Sequence, residues 1–256
     1  IFVGLLAEAD FRKLDFAEMK GFFSGAAPLA ADTIKDLKDL TGATMCEVYG
    51  STETTAMVSI TPWGGRIKPG TVGVPVADTE IKIVDIDDPD KELAIGESGE
   101  IAVKGPQIMM GYYNRPAETK EAIRDGWFLT GDLGKFDEDG YLTIVDRKKD
   151  MIIAGGYNIY PVELDGVLMC HPKILEACAI GIPHEYRGET VKAFIVPRKG
   201  ETLTADEVSN YCKKNLAAYK VPKIIEFIDE LPKSAVGKIL RRKLKEMEVT
   251  KMKKES

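Results

Sequence analysis

The chain changes pattern once, at Asp146, and that change limits what it can fold into. Between residues 71 and 146, short candidate strands (Glu80–Asp85, Glu100–Lys104, Tyr141–Asp146) are separated by Gly and Asp turns, and eight glycines fall from Gly96 to Gly140. Such spacing predicts a β-rich, barrel-like region. Beyond Asp146 helical and strand patterns interleave over about 110 residues, as in a small α+β domain. Charge changes at the same place. Residues 1–146 hold 14 Lys and Arg against 26 Asp and Glu, whereas residues 147–256 hold 21 against 15. Balances of −12 and +6 suggest two units with different partners, the basic one meeting phosphates. Two merely soluble surfaces explain the charge equally well. Domains are expected at 1–146 and 147–256.

Within the first unit, Pro28–Leu40 reads as a helix with Ile34 and Leu37 on one face, stopped by Thr41 and Gly42. Ala43–Tyr49 is short and apolar, so a buried strand is expected. Gly50–Thr55 then forms a polar loop at a strand's carboxyl end, where open α/β sheets bind ligands. In the second unit Pro161 opens a helix to Met169. Ala177–Ile182, Val191–Val196 and Ile224–Ile228 read as strands, and Thr204 to Glu207 is a capping box for a helix to Leu216. Leu240, Leu244 and Met247 are spaced for the apolar stripe of a last helix. The tail from Glu248 is expected to fray.

Several function classes fall away. Four scattered cysteines without a CxxC pair argue for reduced thiols in a cytosolic type of compartment. Two histidines, His171 and His184, are too few for a multi-histidine metal cluster. No apolar run approaches the ~18 residues of a membrane span. Neither GxxxxGK[ST] nor GxGxxG is present. The basic stretches lack interleaved aromatics, which speaks against nucleic acid.

Four segments combine exposed backbone with a few polar groups. In Tyr49-Gly-Ser-Thr-Glu-Thr-Thr55, hydroxyls can bond phosphate oxygens and the carboxylate of Glu53 can hold Mg²⁺, which prefers one or two carboxylates plus phosphate. A polar turn with a helix N-cap is the simpler alternative. In Trp127-Phe-Leu-Thr-Gly-Asp132, the aspartate can accept two hydrogen bonds from a ribose diol, or it is an ordinary turn residue. The run Asp146-Arg-Lys-Lys-Asp150, followed by Gly155 and Gly156, is a linker with a narrow ligand path or a charged hairpin. In Lys233-Ser-Ala-Val-Gly-Lys238, a loop lysine can deliver positive charge to a developing oxyanion, or it is a solvated helix start.

Together, and in this order, these segments resemble the adenylate-forming superfamily of acyl-CoA synthetases, peptide-synthetase adenylation domains and luciferases. The stretch from Gly99 to Pro116 and Ser24-Gly-Ala-Ala-Pro-Leu29 strengthen the match. Ile180 to Glu189 and Tyr219-Lys-Val-Pro222 look most like medium- and long-chain fatty acyl-CoA synthetases. The resemblance implies an α/β and α+β fold. It corresponds to the C-terminal half of a large adenylation domain, with a sheet and a small β-barrel, followed by a small mobile domain. It implies that a fatty acid attacks the α-phosphate of ATP and that the thiol of coenzyme A then displaces AMP. Carried over, Gly25, Ala26 and Ala27 border the adenine and Tyr49 packs on it. Thr52 bonds phosphate, Glu53 holds Mg²⁺, Asp132 takes the ribose hydroxyls and Arg147 lies near the ribose. Lys149 is the hinge, Lys238 bridges carboxylate and phosphate, and Gly155 and Gly156 line the pantetheine tunnel.

Departures are also expected. The family's upstream pyrophosphate loop is not in the chain, which opens at Ile1, so a fragment inactive by itself is expected. Val236 stands where a small hydroxyl residue is common, and Asn158 where some relatives carry arginine. An open sheet edge invites pairing into a homodimer. Location is expected to be cytoplasmic, with any membrane contact peripheral. The alternatives are an aryl-CoA ligase, a carrier-protein acylating relative, and a non-catalytic nucleotide- or CoA-binding module.

Overall fold

The computed structural model describes residues 1–26, 29, 31–234 and 237–255. They divide into two compact units, Ile1–Ile144 and Val145–Ser256.

The first unit begins with helix α1 (Phe2–Ala7), strand β1 (Gly21–Ser24), helix α2 (Ala31–Thr41) and strand β2 (Thr44–Tyr49). β1 and β2 run parallel, with Phe22 opposite Met45, and α2 is the crossover between them. Ile34 and Leu37 of α2 pack with Leu6 and Met45 in one buried cluster. That is the face the helical spacing required. Two short antiparallel strands, β3 (Ser59–Ile60) and β4 (Val74–Pro75), complete a sheet of order β1-β2-β3-β4. On its other face Phe23 stacks on Trp63, ring centroids 5.9 Å apart. A Cβ at Gly21 would lie 2.4 Å from that indole, so the stack requires glycine there.

A second sheet follows from the Gly-punctuated region. Strands β5 (Glu80–Val84), β6 (Gly99–Lys104), β7 (Ile123–Arg124), β8 (Trp127–Phe136) and β9 (Leu142–Arg147) form it, with helix α3 (Pro116–Ala122) before β7. All the pairings with a register are antiparallel, in the order β5-β6-β8-β7 with β9 also on β8. The result is a half-barrel filled by Val58, Ile83, Ile101, Val103 and Leu142.

The second unit is a sheet buried on both faces. The hairpin β10 (Ile152–Ala154) and β11 (Tyr157–Ile159) leads to helix α4 (Pro161–Met169). Two long strands, β12 (Ile174–His184) and β13 (Gly188–Pro197), pair antiparallel. Helix α5 (Ala205–Asn215), strand β14 (Ile224–Phe227) and helix α6 (Arg241–Glu255) complete it. β14 lies parallel to β13. Along β12, Ala177 packs with α4 and α5 residues Leu168, Val208 and Cys212. The alternate residues Cys178, Ile180 and Ile182 pack with Leu244 of α6 and with Leu231, which precedes that helix. Two covered faces explain why β12 and β13 read as near-continuous apolar runs. At α5, Thr204 accepts a hydrogen bond from the Glu207 amide at 3.2 Å. The Glu207 carboxylate instead meets Lys173 at 2.9 Å.

The last helix departs from expectation. Leu244 is fully buried, but Met247 is 46 % exposed and Glu248 is buried instead. The cause is Lys192 in the middle of β13, 6 % exposed. Its ammonium meets Glu248 at 2.6 Å and Glu226 at 2.7 Å. A buried cation needs such partners, so α6 turns residues 244 and 248 inward. The helix also continues to Glu255 where fraying was expected. Residues Pro28 and Val236 lie outside the described residues.

A second, half-buried pair joins Arg241, at the start of α6, to Asp165 of α4. Asp165 also accepts the Ala179 amide at 2.7 Å. Burial pushes the Asp165 carboxyl up to about 7, against the pull of Arg241. The native state therefore holds this proton more tightly than the unfolded chain does, and the stability it contributes falls as pH rises from about 4 towards 7. Asp165→Asn removes the titration. We expect the urea midpoint of the wild type, relative to that of the variant, to decline across this range. A constant difference would contradict the assignment.

Candidate active site

Two loops of the first unit lie at the carboxyl ends of the parallel strands β1 and β2. After β1 come Gly25 and Ala26, both exposed, Ala26 with φ of +68°. A Cβ at Gly25 would approach Val48 Cγ2 to 2.7 Å, so this loop closes tightly on β2. Ala27 lies outside the described residues. After β2 comes the polar segment, which forms a short 3₁₀ turn at Thr52–Thr54. The Ser51 amide donates to Thr54 Oγ1 at 2.8 Å, so the buried Thr54 serves the turn itself. Thr52 faces outward and Glu53 is half-buried. The turn closes through Thr55 and Ala56 at φ of +47° and +81°. A Cβ at Gly50 would lie 2.1 Å from the Ala56 carbonyl oxygen. Only glycine fits there, because the obstacle is backbone.

Asp132 reaches the same strand end from the half-barrel. Across β6 and β8, Glu100 pairs with Leu133 and Ala102 with Leu129. Three residues of β8 therefore bulge opposite one of β6. Gly131 in the bulge has φ of +71°, and its amide donates to the buried Glu100 carboxylate at 3.1 Å. Thr130 Oγ1 donates to Ile101 O at 2.9 Å and accepts the Asp132 amide at 3.1 Å. A bulge re-aims a side chain, and here the Asp132 carboxylate accepts the Tyr49 hydroxyl at 2.9 Å. Residues 83 positions apart are thereby joined.

Glu53 has a neighbour that sequence reasoning missed. The Tyr112 hydroxyl donates to Glu53 Oε1 at 3.1 Å. Desolvation first, and then the Glu53 carboxylate, hold the phenol above its ordinary range. Tyr112 lies inside the Gly99–Pro116 stretch, which signalled the family and no contact. Beyond it an open cleft of about 470 Å³ is lined by Met110, Tyr112, Lys120 and Ile123 among others. The cleft contains none of the residues expected to bind nucleotide. Glu100 was also missed as the acid that holds the bulge.

In the second unit Arg147 and Lys149 are exposed, Arg147 preceding a 3₁₀ turn at Lys148–Asp150 and Lys149 lying at its centre. The buried Asp146 anchors them, accepting the Arg147 amide at 2.6 Å and the Val162 amide of α4 at 2.8 Å. Gly155 and Gly156 are the two central residues of the β10–β11 hairpin, with φ of +61° and +82°. Both conformations favour glycine, as in a type I′ turn. The Gly155 amide donates to Arg187 O at 2.9 Å, just past the His184 end of β12. Lys238 is exposed and closes a turn with Ser234, whose amide donates to the Lys238 carbonyl at 2.8 Å. Neighbouring Lys233 bridges Ile239 and pairs with Glu176 at 2.5 Å. The two loops are thus anchored at opposite ends of β12. Eight residue steps along the strand, roughly 26 Å, separate Glu176 from His184.

Sequence and structure comparisons agree on the kind of protein. The AMP-binding enzyme family matches residues 1–113, and the AMP-binding enzyme C-terminal domain matches residues 163–238. A long-chain-fatty-acid–CoA ligase of Yersinia pestis is 45 % identical over 249 residues, which are 97 % of this chain and 44 % of that protein. ATP-bound MatB from Rhodopseudomonas palustris superposes with a TM-score of 0.88 at 38 % identity, over 96 % of this chain and 49 % of that one. The o-succinylbenzoate CoA synthetase MenE of Bacillus subtilis, in complex with ATP and magnesium, gives 0.82 at 34 % identity, over 95 % and 49 %. The chain spans about half the length, or less, of the proteins it matches. Among the described residues no helix is long and apolar enough to cross a membrane.

The tight turn gives a direct test. Gly50→Ala must push the Ala56 carbonyl away, and overpacking of this kind costs about 1–3 kcal/mol. We expect a lower denaturation midpoint with an unchanged urea dependence. An unaffected midpoint would mean that the turn yields freely.

Proposed function

Because the chain belongs to the AMP-binding enzyme family, we propose that it serves an ATP-dependent fatty acid–CoA ligase, supplying part of the nucleotide site and the lysine and glycine loops. The observation that supports this most is the Tyr49–Asp132 hydrogen bond. It sets an aromatic face and a carboxylate side by side at the carboxyl end of a parallel sheet, where such sheets take nucleotides.

The chemistry follows from charge. A fatty acid carboxylate is already nucleophilic, so adenylation needs no base. It does need relief of repulsion between two anions. Gly25, Ala26 and Tyr49 border the adenine and Asp132 accepts the ribose hydroxyls. Thr52 hydrogen-bonds phosphate, and Arg147 lies near the ribose. Lys238 places its ammonium between the carboxylate and the α-phosphate, so the acyl–oxygen–phosphorus bond forms as pyrophosphate leaves. In the second step the thiol of coenzyme A attacks the acyl carbonyl, AMP departs, and Gly155 and Gly156 give pantetheine a narrow path. Rotation about Lys149 presents first the lysine loop and then the glycine loop. We place residues 1–146 and 147–256 as the two functional domains, in the cytoplasm, with contact to a membrane limited to its surface. Pairing through the open edge at β1 is the route we propose to a homodimer.

The donor set around Glu53 fits Mg²⁺. Glu53 is a single carboxylate with the Thr52 hydroxyl beside it, and Mg²⁺ keeps its waters and phosphate ligands instead of an all-protein cage. Among the described residues no cluster of three or more His, Cys, Asp or Glu could hold a metal alone. Bound there, the ion would neutralise charge on the phosphates. The likeness to an o-succinylbenzoate CoA synthetase favours an aryl acid as a second reading. The higher identity to a long-chain ligase favours a fatty acid, and a panel of carboxylates separates the two.

In the enzyme expressed from its complete reading frame, Lys238→Ala should lower ATP–pyrophosphate exchange by at least 100-fold, the order of one lost oxyanion partner. Thioester formation from supplied acyl-adenylate should persist. Equal loss of both half-reactions would refute the division of labour. Gly156 has open space around it, so Gly156→Trp should block the coenzyme A step more than adenylation. An intact second step in that variant would exclude the glycine turn from the pantetheine path.

A further inference from the structure

The segment from Gln107 to Tyr112 is bound to the turn that carries Glu53 by a set of hydrogen bonds unrelated to the nucleotide motifs. Thr55 Oγ1 donates to Gln107 O at 2.8 Å, and the Met109 amide donates to Glu53 O at 2.8 Å. The Gln107 side-chain amide donates to Met57 O at 3.4 Å. The acid-bearing turn is therefore held by its main chain on the same segment that delivers Tyr112 to its carboxylate.

Tyr112 is itself fixed in place. Its amide donates to Thr119 Oγ1 at 2.9 Å, and Thr119 Oγ1 donates to Arg115 O at 2.8 Å. Gly111 before it has φ of +150°, and a Cβ there would lie 2.6 Å from Thr119 Cγ2. Close contact with Thr119 thus requires the glycine and fixes the backbone from which the Tyr112 ring projects. A phenol is a neutral donor with one rigid reach, so it selects one orientation of the carboxylate without neutralising it. A cation in its place would compete with a metal ion for Glu53.

We infer that Tyr112 is a positioning residue: its hydroxyl orients the Glu53 carboxylate so that the other face of the group is presented to the metal ion of the metal–ATP complex. This rests on the assignment of Glu53 to Mg²⁺ made above and adds to it the element that aims the acid.

The test compares Glu53→Gln, Tyr112→Phe and the double variant in the enzyme expressed from its complete reading frame. ATP–pyrophosphate exchange is titrated with Mg²⁺ at fixed ATP. Binding of Mn²⁺ in the presence of ATP is read by electron paramagnetic resonance, independently of turnover. Loss of one hydrogen bond, felt by the metal only through the carboxylate it orients, should raise the Mg²⁺ requirement and weaken Mn²⁺ binding about three- to tenfold in Tyr112→Phe. Excess Mg²⁺ should restore most of the exchange rate, and the KM for coenzyme A should stay unchanged. The double variant should be no worse than Glu53→Gln alone. If Glu53→Gln weakens metal binding and Tyr112→Phe does not, the positioning role is wrong although Glu53 still holds the metal. If neither changes metal binding, the assignment of Glu53 fails and the role of Tyr112 fails with it.

Discussion

One hydrogen bond, from the Tyr49 hydroxyl to the Asp132 carboxylate, joins the two sheets of the first unit at the strand end. Its two ends come from different kinds of sheet. Tyr49 closes a parallel strand that a helical crossover places, and Asp132 sits on an antiparallel strand of the half-barrel. Neither regular structure would bring them together unaided. The bulge at Thr130–Asp132 does so, at the cost of a left-handed glycine and a buried acid. Glu100 holds the Gly131 amide, and Thr130 is bonded on both sides.

The second unit uses a different economy. Its sheet is covered on both faces, so almost every residue of β12 and β13 is apolar. One buried charge, Lys192, interrupts β13, and a second ion pair joins the covering helices. Lys192 answers to Glu226 and Glu248, and Arg241 to Asp165. Replacing such pairs by apolar residues is often neutral for stability, whereas removing one partner is costly. They fix the rotation of α6 about its axis and tie its first turn to α4. Asp146 ties the same helix, α4, to the segment of Arg147 and Lys149.

Much of this was legible in the residues. The helix at Ala31–Thr41, the strand at Thr44–Tyr49 and the two long strands of the second unit follow from apolar spacing and turn residues. The β-rich character of residues 71–146 follows from glycine punctuation. The bulge at Gly131 was not legible, because it depends on a register shift against a strand some thirty residues away. Tyr112 escaped for the same reason, since a phenol 59 positions from Glu53 carries no local signal. The stripe through Leu240, Leu244 and Met247 misled, because apolar periodicity cannot register a buried lysine that draws Glu248 inward. Family resemblance supplied roles for Glu53, Asp132 and Lys238 that spacing alone left as turn residues.

The anchoring of the lysine and glycine loops at opposite ends of one β-hairpin has a kinetic consequence. Both ride on a single well-packed body, so whatever distance separates them is constant. In the proposed reaction, a centre smaller than that span can be visited by only one of them at any instant. Succession of the two visits then needs no signal passed between them. It is enforced as a ruler enforces it, by having two ends.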